Sequence, residues 1–340
     1  MINVALLSRW HVHADDYASQ AGKNEQIRIK AVWDEDSERG HKWAEELGVP
    51  FQNDLNMVLS DPEIDAVIID TPTNLHKEVI LAAAKSKKHI FTEKVLAFSV
   101  EDCEEILEAI KANNVQFMIS LPRLTENYYL YAQDVVNQGL LGKVTMVRCR
   151  LAHNGAIPFE GHPTGWLPKH FFDLESCGGG ALIDLGAHPI YLSNRLAGKA
   201  TAVTARFQKI LGYDVEDNAV VTVEYESGAI GVLEAGFTSG GCPFQLELYG
   251  TEGTLLIEDN QIRVKSKQLG EEWVKPEELP NPLPMPMEQW INAIQAGQIP
   301  DITGEDAINL TLINEAAALS NKERRSVDIS EIYGLNTISK

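Results

Sequence analysis

The sequence predicts an α/β fold: a doubly wound domain with a parallel sheet, followed by an α+β domain with a large, mostly antiparallel sheet. Over the first 120 residues, apolar strand patterns alternate with helical patterns of about a dozen residues. Continuous apolar strands such as Ala66–Ile69 are typical of a sheet covered on both faces. After Leu121, short strands follow one another through Gly, Asn or Ser turns. The predicted domains are therefore residues 1–121 and 122–340.

In the first domain, each predicted strand is followed by at least one predicted helix, except the last. The strands are residues 2–7, 27–33, 66–70, 89–91 and 116–120, and the helices are residues 14–21, 37–47, 54–60, 76–86 and 100–113. In the second domain, helix 128–138 precedes strands 144–151, 203–209, 218–225, 228–237, 244–249 and 253–258. A Pro-rich loop at 276–286 leads to helices 287–296 and 305–321.

Composition limits the possible functions. The 340 residues, 44% of them hydrophobic, suffice for two cores. The net charge of −20, from 29 basic and 49 acidic residues, repels phosphate backbones and anionic lipids, so we expect neither a nucleic-acid nor a membrane partner. Four scattered cysteines without C-x-x-C spacing indicate reduced thiols. No apolar run has the length of a signal peptide or membrane span, so the cytoplasm is the expected compartment.

The segment CGGGALIDLGAHPIY carries the strongest chemical signal. Its glycine turn opens a predicted helix with Asp184 and His188 four positions apart, on one helical face. Upstream, TEKVLA supplies Lys94 as a third titratable group. Histidine has a suitable pKa for proton transfer near neutral pH, and a lysine ammonium favours a developing alkoxide. The pattern predicts an enzyme that oxidises an alcohol or reduces a ketone. Alternatively, Asp184 pairs locally and His188 packs beneath a sheet.

A dinucleotide cofactor fits the first domain, because open parallel sheets bind ligands beyond the carboxyl ends of their strands. Asp34 closes the second predicted strand, where a carboxylate accepts hydrogen bonds from ribose hydroxyls and repels a 2′-phosphate. This favours NAD over NADP. Taken alone, Asp34 could equally be an ordinary acidic loop residue.

The turn after the first strand departs from the G-x-G-x-x-G pattern of dinucleotide sites. Ser8, Trp10 and His13 stand where glycines are expected. Trp10 is expected to obstruct the path of a phosphate and to weaken NAD binding, unless the turn is displaced. The amides of the helix N-terminus still attract anions, and Ser8, Arg9, His11 and Val12 are the predicted cofactor contacts of this loop.

Further candidates line a loop-rich stretch and the start of the second domain. An aromatic face beside hydrogen-bonding groups suits a sugar or polyol ring, so the candidate substrate-binding residues are Arg123, His153, Trp166, His170 and Asp173. Arg123 could equally form a salt bridge, and Trp166 could simply pack. His11 and His13, with His162 or His170, have no spacing that supports a metal site, so no metal is expected.

Several motifs in order resemble the Gfo/Idh/MocA oxidoreductases, the family of glucose–fructose oxidoreductase and inositol dehydrogenase. TPTNLHKEVILAAAKSKKHIFTEKVLA resembles the family block in which T-P-x-x-x-H precedes E-K-P, and LLGKVTMVR resembles the strand entering the second domain. CGGGALIDLGAHPI resembles G-G-G-x-L-x-D-x-G-x-H, and TGEDAINLTLINEAAALS resembles the C-terminal helix. The similarity runs nearly end to end.

The resemblance implies a Rossmann domain and a large open sheet, in a homodimer or homotetramer. It implies that Lys94, Asp184 and His188 form a catalytic set, and that the nicotinamide half of the cofactor is surrounded by Thr71, Pro72, Asn74, His76 and Glu93. Val95 replaces the proline of E-K-P, which commonly follows a cis bond, so the placement of Lys94 is expected to differ. The predicted function is hydride transfer between NAD and a secondary alcohol or ketone of a sugar or polyol. The alternative is a non-catalytic sugar- or nucleotide-binding protein of the same fold.

Overall fold

Strands and helices alternate along the first 120 residues nearly as predicted. The computed structural model describes residues 1–259 and 261–338. The strands here are β1 (Ile2–Leu7), β2 (Ile27–Trp33), β3 (Ala66–Ile69), β4 (His89–Thr92) and β5 (Phe117–Ile119). The helices are α1 (Ala14–Lys23), α2 (Ser37–Leu47), α3 (Leu55–Ser60), α4 (Thr73–Lys85) and α5 (Val100–Asn113).

The rest of the chain contains more short elements than the sequence predicts. Its strands are β6 (Val144–Ala152), β7 (Pro163–Trp166), β8 (Ala200–Gln208), β9 (Asn218–Tyr225), β10 (Ile230–Gly236), β11 (Gln245–Gly250), β12 (Gly253–Glu258), β13 (Gln261–Ser266), β14 (Gly270–Val274) and β15 (Val327–Asp328). Its helices are α6 (Asn127–Asn137), α7 (Leu174–Cys177), α8 (Ala181–Asp184), α9 (Ala187–Ala197), α10 (Pro286–Ala296), α11 (Gly304–Glu323) and α12 (Ile329–Ile338).

Two sheets organise these elements. The first is parallel, in the order β2-β1-β3-β4-β5, and all four residues of β3 are buried because helices cover both faces. The second has the order β14-β13-β12-β11-β6-β10-β9-β8-β15. Among its described ladders, β6 and β10 pair in parallel and the others are antiparallel, so this sheet is mixed and mostly antiparallel as predicted.

The chain divides into two compact units. The first unit comprises Met1–Ser120 and Pro284–Ile308, and the second comprises Leu121–Leu283 and the chain from Asn309 onward. The segment Pro284–Ile308, which was predicted as part of the C-terminal domain, groups with the first unit. There Trp290 of α10 is fully buried, with its ring centroid 5.7 Å from that of Phe91 in β4.

Local signals explain the ends of the helices. The Asp36 carboxylate accepts hydrogen bonds from the amides of Glu38 and Arg39 and so caps α2, which ends at Gly48 with φ 67°. No described helix combines the length and apolarity needed to cross a membrane. The four cysteines all lie in the described residues, and none of them forms a disulfide.

Candidate functional site

In the first unit, the carboxyl ends of β1, β3 and β4 bring the predicted cofactor residues to one edge of the sheet. The order β2-β1-β3-β4-β5 places the switch point between β1 and β3, where open α/β sheets bind ligands. The chain leaves β1 at Ser8, β3 at Asp70 and β4 at Glu93. The loop after β1 is tied to the end of β3, because the His11 amide donates to the Asp70 carbonyl at 3.3 Å.

The loop after β1 makes its turn without glycine. Ser8 is fully buried and takes a φ of 77°, a conformation that glycine usually supplies. Its hydroxyl accepts a hydrogen bond from the Trp10 amide at 3.1 Å. Trp10 is only 8% exposed, so its ring packs within the first unit. Trp10 therefore fills space inside the first unit, and its effect on the phosphate path stays a prediction. Val12, in contrast, is exposed.

Asp34 directly follows β2, the strand that it was predicted to close. Its side chain is fully buried, and Arg39 donates to both of its oxygens, from Nε at 2.9 Å and from Nη2 at 2.6 Å. The amides of Arg9 and Asp36 also donate to this carboxylate, at 2.9 and 2.8 Å. Donors of the protein thus already bond both oxygens of the predicted ribose acceptor, and its contact with the ribose stays a prediction.

The charge balance around Asp34 still disfavours a 2′-phosphate. Arg39 also pairs with Glu35 at 2.6 Å, and Arg9 pairs with Asp15 at 2.9 Å and with Glu46 at 2.8 Å. Each guanidinium in this region therefore already has two carboxylate partners, so neither contributes an uncompensated positive charge. Burial, followed by the charge of Asp34, raises the pKa of Glu35.

A buried carboxylate joins the ends of β1 and β4. Glu93 is 2% exposed, and its Oε2 accepts a hydrogen bond from the Tyr17 hydroxyl. Nδ1 of His13 lies 3.3 Å from the same oxygen, and Nζ of Lys94 lies 3.8 Å from Oε1. Burial alone would raise the pKa of Glu93, but His11, His13 and Lys94 together hold it well below its ordinary value.

Two buried polar groups stand beside Glu93 at the end of β3. Asp70 is 1% exposed and Thr71 is 2% exposed. Both carboxylate oxygens of Asp70 and the hydroxyl of Thr71 have no hydrogen-bond partner among the described residues. Burial, then the charge of Glu93, raises the pKa of Asp70 well above its usual value. Such groups at a sheet edge mark a place where a ligand, ion or water completes the bonding.

His76 holds the segment that carries Lys94. Its Nδ1 lies 2.9 Å from the Val95 carbonyl, and its Nε2 lies 3.1 Å from the Thr71 carbonyl. Burial lowers the pKa of His76, and the neutral ring donates to one of these carbonyls. The bond between Lys94 and Val95 is cis. His76 therefore joins two loops, so its predicted cofactor contact, like those of Pro72 and exposed Asn74, stays a prediction.

In the second unit, the glycine turn fits closely against Glu216. A Cβ on Gly180 would lie 2.0 Å from the Glu216 carbonyl oxygen, so only glycine fits there. That carbonyl accepts from the Ala181 amide at 2.9 Å, and the Glu216 carboxylate accepts from the Leu182 amide at 3.0 Å. This turn fixes the start of α8, which ends at Asp184.

Asp184 and His188 do not share one regular helix. α8 ends at Asp184 and α9 begins at Ala187, with Leu185 and Gly186 between them in right-handed helical conformation. Nδ1 of His188 lies 2.6 Å from the hydroxyl of buried Tyr191. Burial raises the pKa of Tyr191 well above its usual value.

Tyr191 links His188 to Arg123. The Arg123 amide donates to the Tyr191 hydroxyl at 3.4 Å, and its Nη1 donates to the Tyr128 hydroxyl at 3.2 Å. The Arg123 guanidinium also lies over the ring of Phe244, 4.9 Å from the centroid. Arg123 is thus held by aromatic neighbours within its own unit.

The predicted sugar-binding residues are only partly brought together. The rings of His153 and Trp166 lie 4.7 Å apart, and Trp166 is 52% exposed. Burial lowers the pKa of His153, while the nearby Asp184 carboxylate opposes that shift. Exposed Asp173 instead caps α7 by accepting from the Ser176 amide at 2.8 Å, which is its observed structural role. The His170 ring contacts that of Phe171.

Sequence reasoning missed five residues of these sites. Tyr17, Arg39, Asp70 and Tyr191 each hold or face a predicted site residue, and Glu216 holds the glycine turn that precedes Asp184. Helical spacing could have found two of them, because Tyr17 follows His13 by four positions and Tyr191 follows His188 by three. Arg39 follows Asp34 by five positions and Asp70 precedes Thr71, but neither spacing marks a contact, and Glu216 comes from a distant part of the sequence.

Comparison with known proteins matches both parts of the chain to one family. Residues 8–121 match a family described as "Oxidoreductase family, NAD-binding Rossmann fold", and residues 129–256 match the GFO/IDH/MocA C-terminal domain. The chain is 25% identical over 325 residues to myo-inositol 2-dehydrogenase of Thermotoga maritima, covering 90% of this chain and 92% of that protein. It is 32% identical over 238 residues to scyllo-inositol 2-dehydrogenase (NAD(+)) of Bacillus subtilis, covering 68% and 66%.

A solved structure has the same fold. Levoglucosan dehydrogenase in complex with NADH and L-sorbose superposes with a TM-score of 0.82 at 22% identity, covering 98% of this chain and 100% of that one. Together these matches confirm the predicted family, the fold class, the oxidoreductase class and NAD as the family's cofactor. The chain belongs to the Gfo/Idh/MocA family of NAD-binding oxidoreductases.

Proposed function

We propose that this enzyme transfers a hydride between NAD and a secondary alcohol or ketone of a sugar or polyol, with Lys94, Asp184 and His188 as its catalytic set. The observation that most strongly supports this proposal is the contact of His188 Nδ1 with the Tyr191 hydroxyl at 2.6 Å. This contact orients the ring so that Nε2 is the nitrogen that takes up the proton. The inositol and levoglucosan dehydrogenases similar to this chain support the substrate class.

The first unit fits a dinucleotide. Ser8 reproduces the positive φ of a glycine turn, Trp10 is packed inward, and α1 begins directly after this loop at Ala14. The partnerless hydroxyl of Thr71 offers a polar contact at the same sheet edge. The residues proposed to hold NAD are the loop Ser8–Arg9 with His11 and Val12, and Thr71, Pro72, Asn74 and Glu93. Asp34 would act through Arg39, since its carboxylate is saturated.

The proton chemistry follows from the side chains. When bound, NAD supplies the hydride acceptor or donor. The neutral His188 ring carries its hydrogen on Nδ1, and this N–H donates a hydrogen bond to the Tyr191 oxygen. Nε2 is then free to accept the proton from the substrate. The Lys94 ammonium, 96% buried and beside Glu93, favours negative charge on the substrate oxygen. Asp184 orients a substrate hydroxyl or a neighbouring ring.

Kinetics of matched variants test this proposal. Inositols, aldoses and their oxidised forms are first screened with NAD or NADH to find a substrate. Lys94→Ala and His188→Ala should then each lower kcat by about a hundredfold or more. The controls, Lys85→Ala and His162→Ala, remove the same residue types away from the proposed site and should retain turnover. Near-wild-type turnover in both site variants would overturn the proposed catalytic set, whereas absence of turnover by the wild type with every substrate screened would favour the non-catalytic binding protein.

We also propose a homodimer or homotetramer in the cytoplasm. Met146, Val220 and Ile230 lie exposed on neighbouring strands of the second sheet, and Ile230 pairs directly with Met146 in the ladder. Such apolar side chains on an open sheet suit association of two copies. Ile230→Lys should reduce the mass measured by light scattering if this face is the interface. The absence of disulfides among the four cysteines supports a reducing compartment.

A further inference from the structure

We propose that His11, His13 and Glu93 bind one divalent transition-metal ion. One ring nitrogen of each histidine and one carboxylate oxygen of Glu93 lie within 4.8 Å of one another. The two histidines come from the loop after β1, and Glu93 follows β4. The site belongs entirely to the first unit and shares His11 and Glu93 with the residues proposed to hold NAD, so its test uses the protein without dinucleotide.

The distances are close to those of a metal site. Zinc bonds of about 2.0–2.2 Å to nitrogen and oxygen place neighbouring tetrahedral ligands roughly 3.3–3.5 Å apart. His13 Nδ1 and Glu93 Oε2 are already 3.3 Å apart. The other separations are at most 4.8 Å, and the His13 side chain, which is 40% exposed, has room to adjust. If His11 binds the metal through Nδ1, it loses the 3.2 Å hydrogen bond that this atom accepts from the His13 amide.

Asp70 provides an independent reason to expect a cation. Its carboxylate is 99% buried, has no hydrogen-bond partner among the described residues, and lies near enough to Glu93 for the two charges to interact. Two neighbouring carboxylates in a buried site require a proton or a cation. Lys94 supplies one positive charge, 3.8 Å from Glu93. A divalent ion held by Glu93 would meet this requirement in place of a proton on Asp70.

The surrounding groups have the form of a supported metal site. The Tyr17 hydroxyl donates to Glu93, as outer hydrogen bonds orient ligating carboxylates in metalloproteins. Two imidazoles and one carboxylate suit zinc, iron, cobalt or nickel better than magnesium or calcium, which prefer oxygen ligands alone. Three protein ligands leave a further coordination position, and the exposed edge of His13 provides access to it.

Metal titration of the full-length protein tests the inference. After treatment with EDTA and its removal, Zn²⁺ is titrated by calorimetry, bound zinc is counted by elemental analysis, and Co²⁺ is titrated by visible absorption. Wild type should bind one Zn²⁺ per chain and give a Co²⁺ spectrum of nitrogen and oxygen ligands. His13→Ala should weaken Zn²⁺ binding by more than about 100-fold. Loss of an outer-shell partner already lowers metal affinity by about 10–100-fold, and loss of a ligand should lower it further. His162→Ala, an exposed histidine of the second unit, is the control.

The outcomes separate the alternatives. Absence of stoichiometric zinc in wild type would overturn the inference, as would thiolate bands in the Co²⁺ spectrum, which would assign the metal to cysteines. His13→Ala with a wild-type circular dichroism spectrum and wild-type zinc affinity would also overturn it. Glu93→Gln should weaken binding similarly. Should this buried substitution unfold the protein, the His13→Ala result decides, because His13 is partly exposed.

Discussion

Asp70→Asn should stabilise the metal-free protein at neutral pH. Asparagine keeps the shape of aspartate but carries no charge, and the Asp70 carboxylate is buried without a hydrogen-bond partner. The charges that act on it, Glu93 and Asp15, are both negative. Asparagine is still a buried polar group there, but removing the charge of a buried carboxylate without partners is worth about 1–3 kcal/mol. In a unit of this size, each kcal/mol raises Tm by about 2–4 °C.

The dependence on pH provides the sharper measurement. Folding raises the pKa of Asp70, so the folded state keeps its proton to higher pH than the unfolded chain does. Stability from this group is full below the unfolded pKa of about 3.9 and declines as pH rises toward the folded pKa. The advantage of Asp70→Asn should therefore be small at pH 4 and grow toward pH 8.

Urea and thermal unfolding in EDTA, from pH 4 to pH 8, would measure this difference. Asp16→Asn is the control, because Asp16 is exposed in the first turn of α1 and its replacement should change stability by less than about 0.5 kcal/mol. The reasoning fails if Asp70→Asn is less stable than wild type at pH 7.5, or if its advantage is the same at every pH.

Three further predictions follow from the packing. Gly180→Ala would set a Cβ 2.0 Å from the Glu216 carbonyl, so this variant should lose several kcal/mol in urea unfolding, whereas Gly240→Ala, with open space around it, should not. Tyr191→Phe should lower kcat by about tenfold and shift the His188 limb of the pH–rate profile, with KM little changed; an unaltered profile would remove Tyr191 from the mechanism. Trp10→Gly should cost about 3–5 kcal/mol rather than tighten NAD binding, and tighter binding by calorimetry would restore the obstruction hypothesis.

Most of the fold was predictable because its strongest signals are local. The continuously apolar β1 and β3, and the caps at Asp36 and Ser99, mark their elements within a few residues. β13 was missed although it alternates buried and exposed residues, a pattern that is typical of a half-buried strand. Nothing in the composition of Pro284–Ile308 indicates that it returns to the first unit.

The site was less predictable because its chemistry depends on long-range pairing. His13 and Glu93 meet across 80 residues of sequence, so the absence of ligand spacing near His11 and His13 could not exclude a third ligand. Donors of the protein already bond both oxygens of Asp34. This could be seen only once the position of the Arg39 side chain in α2 was known. Motifs identified Lys94, Asp184 and His188 as candidates, but their partners came from the folded chain.

The return of Pro284–Ile308 to the first unit also constrains how the protein folds during synthesis. β4 and β5 are made early, yet α10, which contacts both strands, emerges from the ribosome only after nearly all of the second unit. A nascent chain ending at Ser120 lacks Trp290, whose ring lies against Phe91 in the finished protein. The early chain therefore keeps an apolar surface uncovered while more than 160 further residues are added. At about 5–20 residues per second, that interval lasts roughly ten to thirty seconds, during which chaperones can bind the unfinished sheet.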